Sequence, residues 1–396
     1  LYAVSGEKPI HVLFLASWYP SKKEPTLGIF IRRHAQAVAI QAKVTVLHAF
    51  ADPELKEGEF RLDRKSEGNL HEFIVSYGRS VGGFSLFRKW KNWRQIRKHY
   101  QFGLEKVIDW NGKPDLIHLH VPWPLGKIAR LFSKKLKVPY GVTEHWTGYQ
   151  PEDGRYTGSL LKRVTRKTIR KAAFVAPVSH QLQVAMQNKG LKGNYVVVPN
   201  VVDTQVFVPG KPVDDKIRLV HVSSLDDAQK DVTGLLKAFQ SALREAPNLE
   251  LQIIGGGNDE SALKRLSNEL GLTFRGVDFK GKLQGEELVQ ELQKAHALIL
   301  NSRYENQPVV ILEALACGIP VISPAIGGIP EIIDESRGIL FNREDEFGLK
   351  KAILEFRSRY TSYNSTELRT YAVTNFSYQA VSNQLLALYT KIIAAC

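Results

Sequence analysis

The chain has 396 residues, of which 43% are apolar and 24% charged, with 30 Gly and 18 Pro; this is the profile of a globular chain and excludes collagen-like, low-complexity and intrinsically disordered classes. The length suits two domains of about 200 residues each. The net charge of +14 is unevenly carried, because residues 1–200 hold 33 Lys+Arg against 15 Asp+Glu while the remainder hold 21 against 25, so an anionic partner is expected on the first half.

Short apolar runs alternate with amphipathic ones along the whole chain, the pattern of βα units around buried parallel strands. In the first half, strands are predicted over Ile10 to Ala16, Val44 to His48, Leu116 to His120, Tyr140 to Thr143, Phe174 to Val178 and Tyr195 to Val198. Between Phe73 and Leu104 there is no acidic residue, while Arg79, Arg88, Lys89, Lys91, Arg94, Arg97 and Lys98 are interleaved with Phe84, Phe87, Trp90, Trp93 and Tyr100. Acids are absent again from Gly154 to Val202, where Lys162, Arg163, Arg166, Lys167, Arg170 and Lys171 recur at helical spacing. Acidic lipid headgroups and nucleic acid are both candidate partners for such a surface. A proline-rich stretch near residues 201–215 reads as the linker. The second half restarts the scheme at Arg218 to Val222, Leu249 to Ile254, Val277 to Lys280, Ala297 to Leu300, Pro320 to Ser323 and Gly338 to Phe341. The expected division is therefore 1–205 and 206–377, each a Rossmann-like doubly wound sheet, with a last helix over 378–394 docking back onto the first domain through Leu385, Leu386, Leu388 and Tyr389.

Several classes can be set aside. The first strand is followed by SWYPSKKEPTLGIFIRRHA rather than a G-x-G-x-x-G fingerprint, and no P-loop occurs, which weighs against dehydrogenases and P-loop kinases. Two cysteines, Cys317 and Cys396, are too few for a disulfide framework or a cysteine zinc site. No run of about 18 uncharged apolar residues predicts a transmembrane helix, and the first residues lack a secretory pattern, so a cytoplasmic protein is expected. His118 and His120 would share a face of one strand, but no third ligand has useful spacing, so no metal site is expected.

The most informative stretch is NSRYENQPVVILEALACGIPVISPAIGGIPEII, residues 301–333. Glu305 and Glu313 are separated by seven intervening residues, the first in a loop after a strand and the second in the following helix. Two carboxylates so placed can accept hydrogen bonds from the hydroxyls of one extended ligand, and N–H groups near Asn306 to Val309 open a helix that can hold ligand oxygens.

Together with WYP and Gly28, DLIHLH, GVTEH, VPNVVDTQVF, KDVTGLLKAF and IIGGG, this stretch resembles the family 4 (group 1) glycosyltransferases over nearly the whole chain. The resemblance implies an α/β protein of the GT-B fold, two Rossmann-like parallel-sheet domains facing a cleft, and a retaining transfer from a nucleotide-diphosphate sugar without a metal or other cofactor. By position it implies that Glu305 contacts the donor sugar, Glu313 the ribose, and Asn306, Gln307, Pro308 and Val309 the sugar and phosphate. Lys230 falls at the family's diphosphate-binding lysine, Gly28 at a glycine beside the donor phosphate, and His145 at a cleft histidine near the transferred sugar, with His120 on the acceptor side. Gly255, Gly256 and Gly257 would turn beside the nucleotide, with Lys282 and Leu283 near the base. One departure stands out: where many members have Gly-Arg-Leu, this chain has Ser223, Ser224 and Leu225, so Ser224 replaces a bidentate diphosphate-binding arginine.

The expected function is thus transfer of a sugar, with UDP-sugar favoured as donor, to a saccharide or lipid-linked acceptor in cell-envelope polysaccharide or glycolipid synthesis, at the inner face of the cytoplasmic membrane. Two alternatives stay open: a nucleic-acid-binding protein using the basic half, although no zinc-finger or RNP-type element is present and no nucleic acid is expected, and a nucleotide-sugar epimerase on the same fold.

Overall fold

Alternation of side chains along β1 (His11–Ala16) sends Val12 and Phe14 to one face and Leu13 and Leu15 to the other, all fully buried. A strand apolar on both faces requires cover on both sides, as in parallel α/β sheets. The computed structural model describes residues 9–79, 85–212, 216–273 and 275–395, apart from the side chains of 85–89. After β1 come α1 (Ile29–Ala39), β2 (Lys43–Ala51), β3 (Phe60–Glu67), β4 (Leu70–Tyr77), α2 (Ser85–Asn111), β5 (Leu116–His120), α3 (Pro122–Leu136), β6 (Tyr140–Glu144), α4 (Ser159–Lys171), β7 (Val175–Pro177) and α5 (His180–Asn188). They form a seven-stranded sheet in the order β3-β4-β2-β1-β5-β6-β7, parallel except for β3 against β4.

The second half runs β8 (Ile217–Ser223), α6 (Asp227–Lys230), α7 (Val232–Glu245), β9 (Leu249–Gly255), α8 (Glu260–Glu269), β10 (Val277–Gly281), α9 (Glu286–Gln293), β11 (Ala297–Ile299), α10 (Val309–Ala316), β12 (Val321–Pro324), β13 (Gly338–Phe341), α11 (Glu346–Arg359), α12 (Ser365–Phe376) and α13 (Tyr378–Ala394). Its six strands are all parallel, ordered β10-β9-β8-β11-β12-β13.

Each sheet is a layer between two helix layers. One core of the first sheet joins Leu13, Leu15 and Leu119 to Tyr100 and Leu104 of α2, Ile128 and Phe132 of α3, Ile169 of α4 and Leu182 of α5. The opposite core joins Val12, Phe14 and Val46 to Ile31 and Val38 of α1 and to Val381, Leu385 and Tyr389 of α13. Each fully buried Leu, Ile or Phe contributes about 1.5–3 kcal/mol of transfer free energy, so α13 is held on the first sheet by its apolar stripe. Leu386 and Leu388 pack only partly there.

Two expectations are corrected. Tyr195 to Val198 forms no strand, only an isolated bridge from Tyr195 to Val175. The β3–β4 hairpin was not expected at all: β3 reads FRLDRKSE and is exposed along nearly its whole length, so it carries no apolar alternation to find. Backbone pairing to β4 holds it in place, and its charges guard the exposed edge against pairing with another chain. No described helix is long and apolar enough to cross a membrane.

Candidate functional site

The two sheets meet where their strand carboxyl ends converge, and each lobe contributes one wall. On the first wall, His118 and His120 do share a face of β5, with ring centroids 4.4 Å apart, and His145 follows β6 with its ring stacked on that of His120. His120 Nδ1 lies 3.2 Å from His145 Nε2, and His145 Nδ1 lies 3.1 Å from Asn200 Oδ1. The direction of this chain follows from its far end. Asn200 Nδ2 donates to the Gln307 carbonyl at 2.9 Å, so Asn200 Oδ1 accepts from His145 Nδ1–H. In the neutral ring His145 Nε2 must then accept from His120 Nδ1–H, which leaves His120 Nε2 as a bare acceptor; that atom is buried and has no partner among the described residues. Burial pulls the pKa values of His118, His120 and His145 well below that of a free imidazole, and His34 is lowered for the same reason, so the cluster is neutral at pH 7. His120, expected to face the acceptor, stands fully buried behind His145. His118 is engaged by the Tyr389 hydroxyl at 2.5 Å and Thr143 Oγ1 at 2.7 Å, and no group of three or more metal-ligating side chains occurs among the described residues.

Glu144 points to the other face of β6, as alternation requires. Its Oε1 accepts from the N–H groups of His145 and Trp146 and its Oε2 from the Tyr149 hydroxyl. Desolvation outweighs these bonds and raises its pKa to about 7. The carboxyl thereby fixes the turn that carries His145.

On the second wall, Lys230 ends the short α6 and its ammonium is paired with Glu305 Oε1, which also accepts from Ser302 Oγ at 2.8 Å. The Glu305 loop lies against Gly327 and Gly328, where an added Cβ would come within 1.9 Å of the Glu305 carbonyl oxygen and 2.5 Å of that of Asn306. Side chains at either position would push the loop off its seat. Asp231, left-handed at φ 46°, starts α7 and is held by Asn301 Nδ2 at 3.0 Å and Arg303 Nη2 at 2.6 Å. Asp227, the first residue of α6, has its Oδ1 occupied by the Thr233 N–H at 2.8 Å.

The walls are stitched together by the 305–308 loop. Asn306 Nδ2 donates to the His145 carbonyl at 2.8 Å while its Oδ1 accepts from Gln150 at 2.9 Å, and Gln307 Oε1 accepts from the Asn200 N–H at 2.5 Å. Pro308 caps α10 and Val309 is its first residue. Glu313, further along α10, pairs at 2.7 Å with Arg33 of α1, whose other terminal nitrogen is buried without a partner among the described residues. Glu331 adds a two-pronged contact to the N–H groups of His180 and Gln181. A cleft of about 340 Å³ remains, lined by Gln150, Gln181, Tyr304, Glu305, Gly327 and Arg343.

The other expected residues lie around this centre. Gly28 has φ 68° and caps α1, and a Cβ there would sit 2.6 Å from the Trp18 backbone, so only glycine fits. Ser224 is exposed in a turn against Gly257, and Lys282 runs across Gly256, where a Cβ would meet its Cε at 2.8 Å. Leu283 is half-buried in the neighbouring core. Lys230, Glu305, Asn306, Gln307 and His145 are thus brought together, whereas Glu313 faces Arg33 and the pair Lys282–Leu283 sits beside the glycine turn. Sequence reasoning missed Arg33, Gln150, Asn200, Ser302 and Arg303. Ser302 and Arg303 were within reach because they flank Glu305, and Asn200 stands in the VPNVVDTQVF stretch, but nothing local reveals that Asn200 and Arg33 meet partners 107 and 280 residues away.

A family profile of glycosyl transferases group 1 matches residues 202–372, and one of glycosyltransferase family 4 matches residues 19–206. TuaC of Bacillus subtilis, a glycosyltransferase ascribed to teichuronic acid biosynthesis, is 24% identical over 366 residues, 87% of this chain and 88% of its own length. Among solved structures, sucrose-phosphate synthase of Thermosynechococcus elongatus has a TM-score of 0.75 at 19% identity, covering 98% of this chain and 100% of that one. HepE of Anabaena in complex with UDP-glucose has a TM-score of 0.70 at 18% identity, covering 96% and 100%. The architecture shared with both is GT-B.

Proposed function

Because the chain belongs to the group 1 glycosyltransferases, we propose that it moves a sugar from a nucleotide-diphosphate sugar to a saccharide or lipid-linked acceptor with retention of anomeric configuration. The observation that carries this is the continuous polar path from Lys230 through Glu305, Asn306 and Gln307 to Asn200 and His145. It links a cation from one lobe to a neutral imidazole from the other across one cleft. The donor separates Lys230 from Glu305: the ammonium turns to the diphosphate, whose negative charge grows as it leaves, and the freed carboxylate accepts sugar hydroxyls. Lys230 and the N–H groups opening α10 supply the positive field, so no resident metal is invoked. His145, held neutral with its Nδ1–H on Asn200, orients the sugar as positive charge develops on it. The carboxylate that the first lobe brings to the cleft, Glu152, is engaged by Arg343, so a same-face substitution assisted by the diphosphate is the proposed route to retention. Glu313 exchanges Arg33 for the ribose.

A cavity of about 250 Å³ at the carboxyl ends of β1, β2 and β4, bordered by Ser17, Phe50, Tyr77, Arg79 and Asn92, suits a saccharide acceptor, and the Asn92 Oδ1 atom there is buried without a partner among the described residues. The UDP-glucose bound by HepE favours a UDP-sugar, and the name of TuaC favours an envelope polysaccharide.

A thermal-shift screen with UDP-, GDP- and ADP-glucose tests the donor. A ligand at one hundred times its Kd adds about 2.7 kcal/mol to the native state, so one base is expected to raise Tm clearly and the gain to shrink in Lys230→Ala. No shift with any nucleotide sugar, or an undiminished shift in the variant, overturns the assignment.

A further inference from the structure

The two acid-free stretches of the first half become neighbours only through the fold. Crossovers on one side of the sheet place α2, α3 and α4 in a single layer over the same core, so their outer surfaces form one continuous face. Residues 80–84 and the side chains of 85–89, which include Phe84, Phe87, Arg88 and Lys89, lie outside the described part. The remainder of α2 contributes Arg94, Arg97 and Lys98 around a half-exposed Trp90. The middle helix, α3, carries no acid and adds Lys127, Arg130, Lys134 and Lys135. It is tied to α2 by Lys127, whose ammonium lies 4.2 Å from the Trp93 ring centre. All six cations of α4 are exposed, again without an acid on the helix. Where α3 and α4 meet they leave a groove of about 500 Å³ lined by Lys127, Arg130, Lys134, Lys167 and Lys171.

Lys135 of α3 reaches Glu105 of α2 at 4.0 Å, but the other cations gathered here repel one another, and an anionic surface offsets that repulsion. Two apolar side chains are set among the cations, Leu131 in the groove and Leu160 at the start of α4, exposed by 38% and 64%. Charges that attract headgroup phosphates, with isolated Leu and Trp side chains able to enter the boundary of the acyl region, are what binding to an anionic bilayer needs. Single-stranded nucleic acid is held on aromatic stacking platforms, whereas the apolar side chains on this face are chiefly isolated leucines.

We propose that the α2–α3–α4 face docks on an anionic lipid bilayer, with the α3–α4 groove seating headgroup phosphates. This rests on the surface of the first lobe and not on the assignment of the cleft, so the two can fail separately.

Flotation of the full chain with phosphatidylcholine vesicles, with and without phosphatidylglycerol, is the test. Binding is expected only with the anionic lipid and is expected to be lost by roughly 0.5 M NaCl, where screening leaves a Debye length of a few Å. Each cation near the surface is worth about fivefold in partitioning, so Lys134→Gln, Lys167→Gln and Lys171→Gln combined should weaken it by roughly a hundredfold. These residues lie outside the cleft, so the donor-induced Tm shift of this variant should match the wild type, which also reports that it folds. Equal binding to both vesicle types, unchanged partitioning of the folded variant, or binding to duplex nucleic acid without binding to vesicles would overturn the proposal.

Discussion

The wall of the cleft built on the first sheet presents buried histidines kept neutral by desolvation and ordered by a one-way chain of hydrogen bonds, whereas the wall built on the second presents Lys230 and Glu305 as a largely buried ion pair. Both walls grow from the same βα architecture, so the difference lies in what each lobe asks of its loops. A chain of neutral donors and acceptors fixes orientation without a field, which suits a group that holds a sugar. Charge is worth most where charge develops, at the leaving diphosphate. The Glu305 loop joins the two regimes: Asn306 and Gln307 bind the neutral wall while the residue before them holds the charged one.

The sharpest way to break this division is to remove the charge. Lys230→Ala is expected to raise the barrier to transfer by about 2–4 kcal/mol, seen as a fall in kcat/KM of thirty- to a thousandfold in initial-rate assays. A variant that keeps near-normal turnover places the diphosphate elsewhere.

The next expected effect concerns the neutral wall, through the carboxyl beneath His145. Glu144 is fully buried and its pKa is raised to about 7, mainly by desolvation. Between the carboxyl's ordinary value in the unfolded chain and pH 7, the folded protein therefore holds a proton that the unfolded chain has lost. Stability contributed by this group is fully present below that window and is lost as pH rises through it, by about 3 kcal/mol in all. The lowered histidines slope the other way, since they must gain protons on unfolding below their ordinary pKa. Glu144→Gln isolates the first contribution: the difference in unfolding free energy between wild type and variant should change with pH between about 4.5 and 7 and be flat above. A pH-independent difference shows that Glu144 does not titrate in that window.

Asn200→Ala sharpens the comparison most gently. It strands the His145 Nδ1–H and the Gln307 carbonyl, costing about 1–3 kcal/mol of stability. Because the tautomer of His145 is then no longer dictated from the second lobe, kcat should fall while the donor-induced Tm shift persists. Equal loss of both would make Asn200 a plain strut between lobes.

Much of the fold was legible because burial on both faces of a parallel strand writes itself as an apolar run; Leu116–His120 and Gly338–Phe341 were placed to the residue, and β1 nearly so. The edge strand β3 was not, since it is exposed and held by backbone bonds that leave no apolar alternation, whereas the largely buried Phe73–Val75 run of β4 carried a signal that was missed. Lys230, Glu305 and the 305–308 loop were legible as local patterns. Asn200, Gln150 and Arg33 were not, because a hydrogen bond across the cleft constrains one atom of a side chain and no neighbour in the chain.

From composition and pattern alone follow the two α/β halves, the family resemblance, and the basic bias of the first half, since each depends on spacing within a few tens of residues. Which histidine stands in front and which behind, that Arg33 holds Glu313, and that three separated helices share one cationic face were decided by tertiary structure. Desolvation, hydrogen-bond direction and surface continuity depend on what lies beside a group in space, and packing alone determines that.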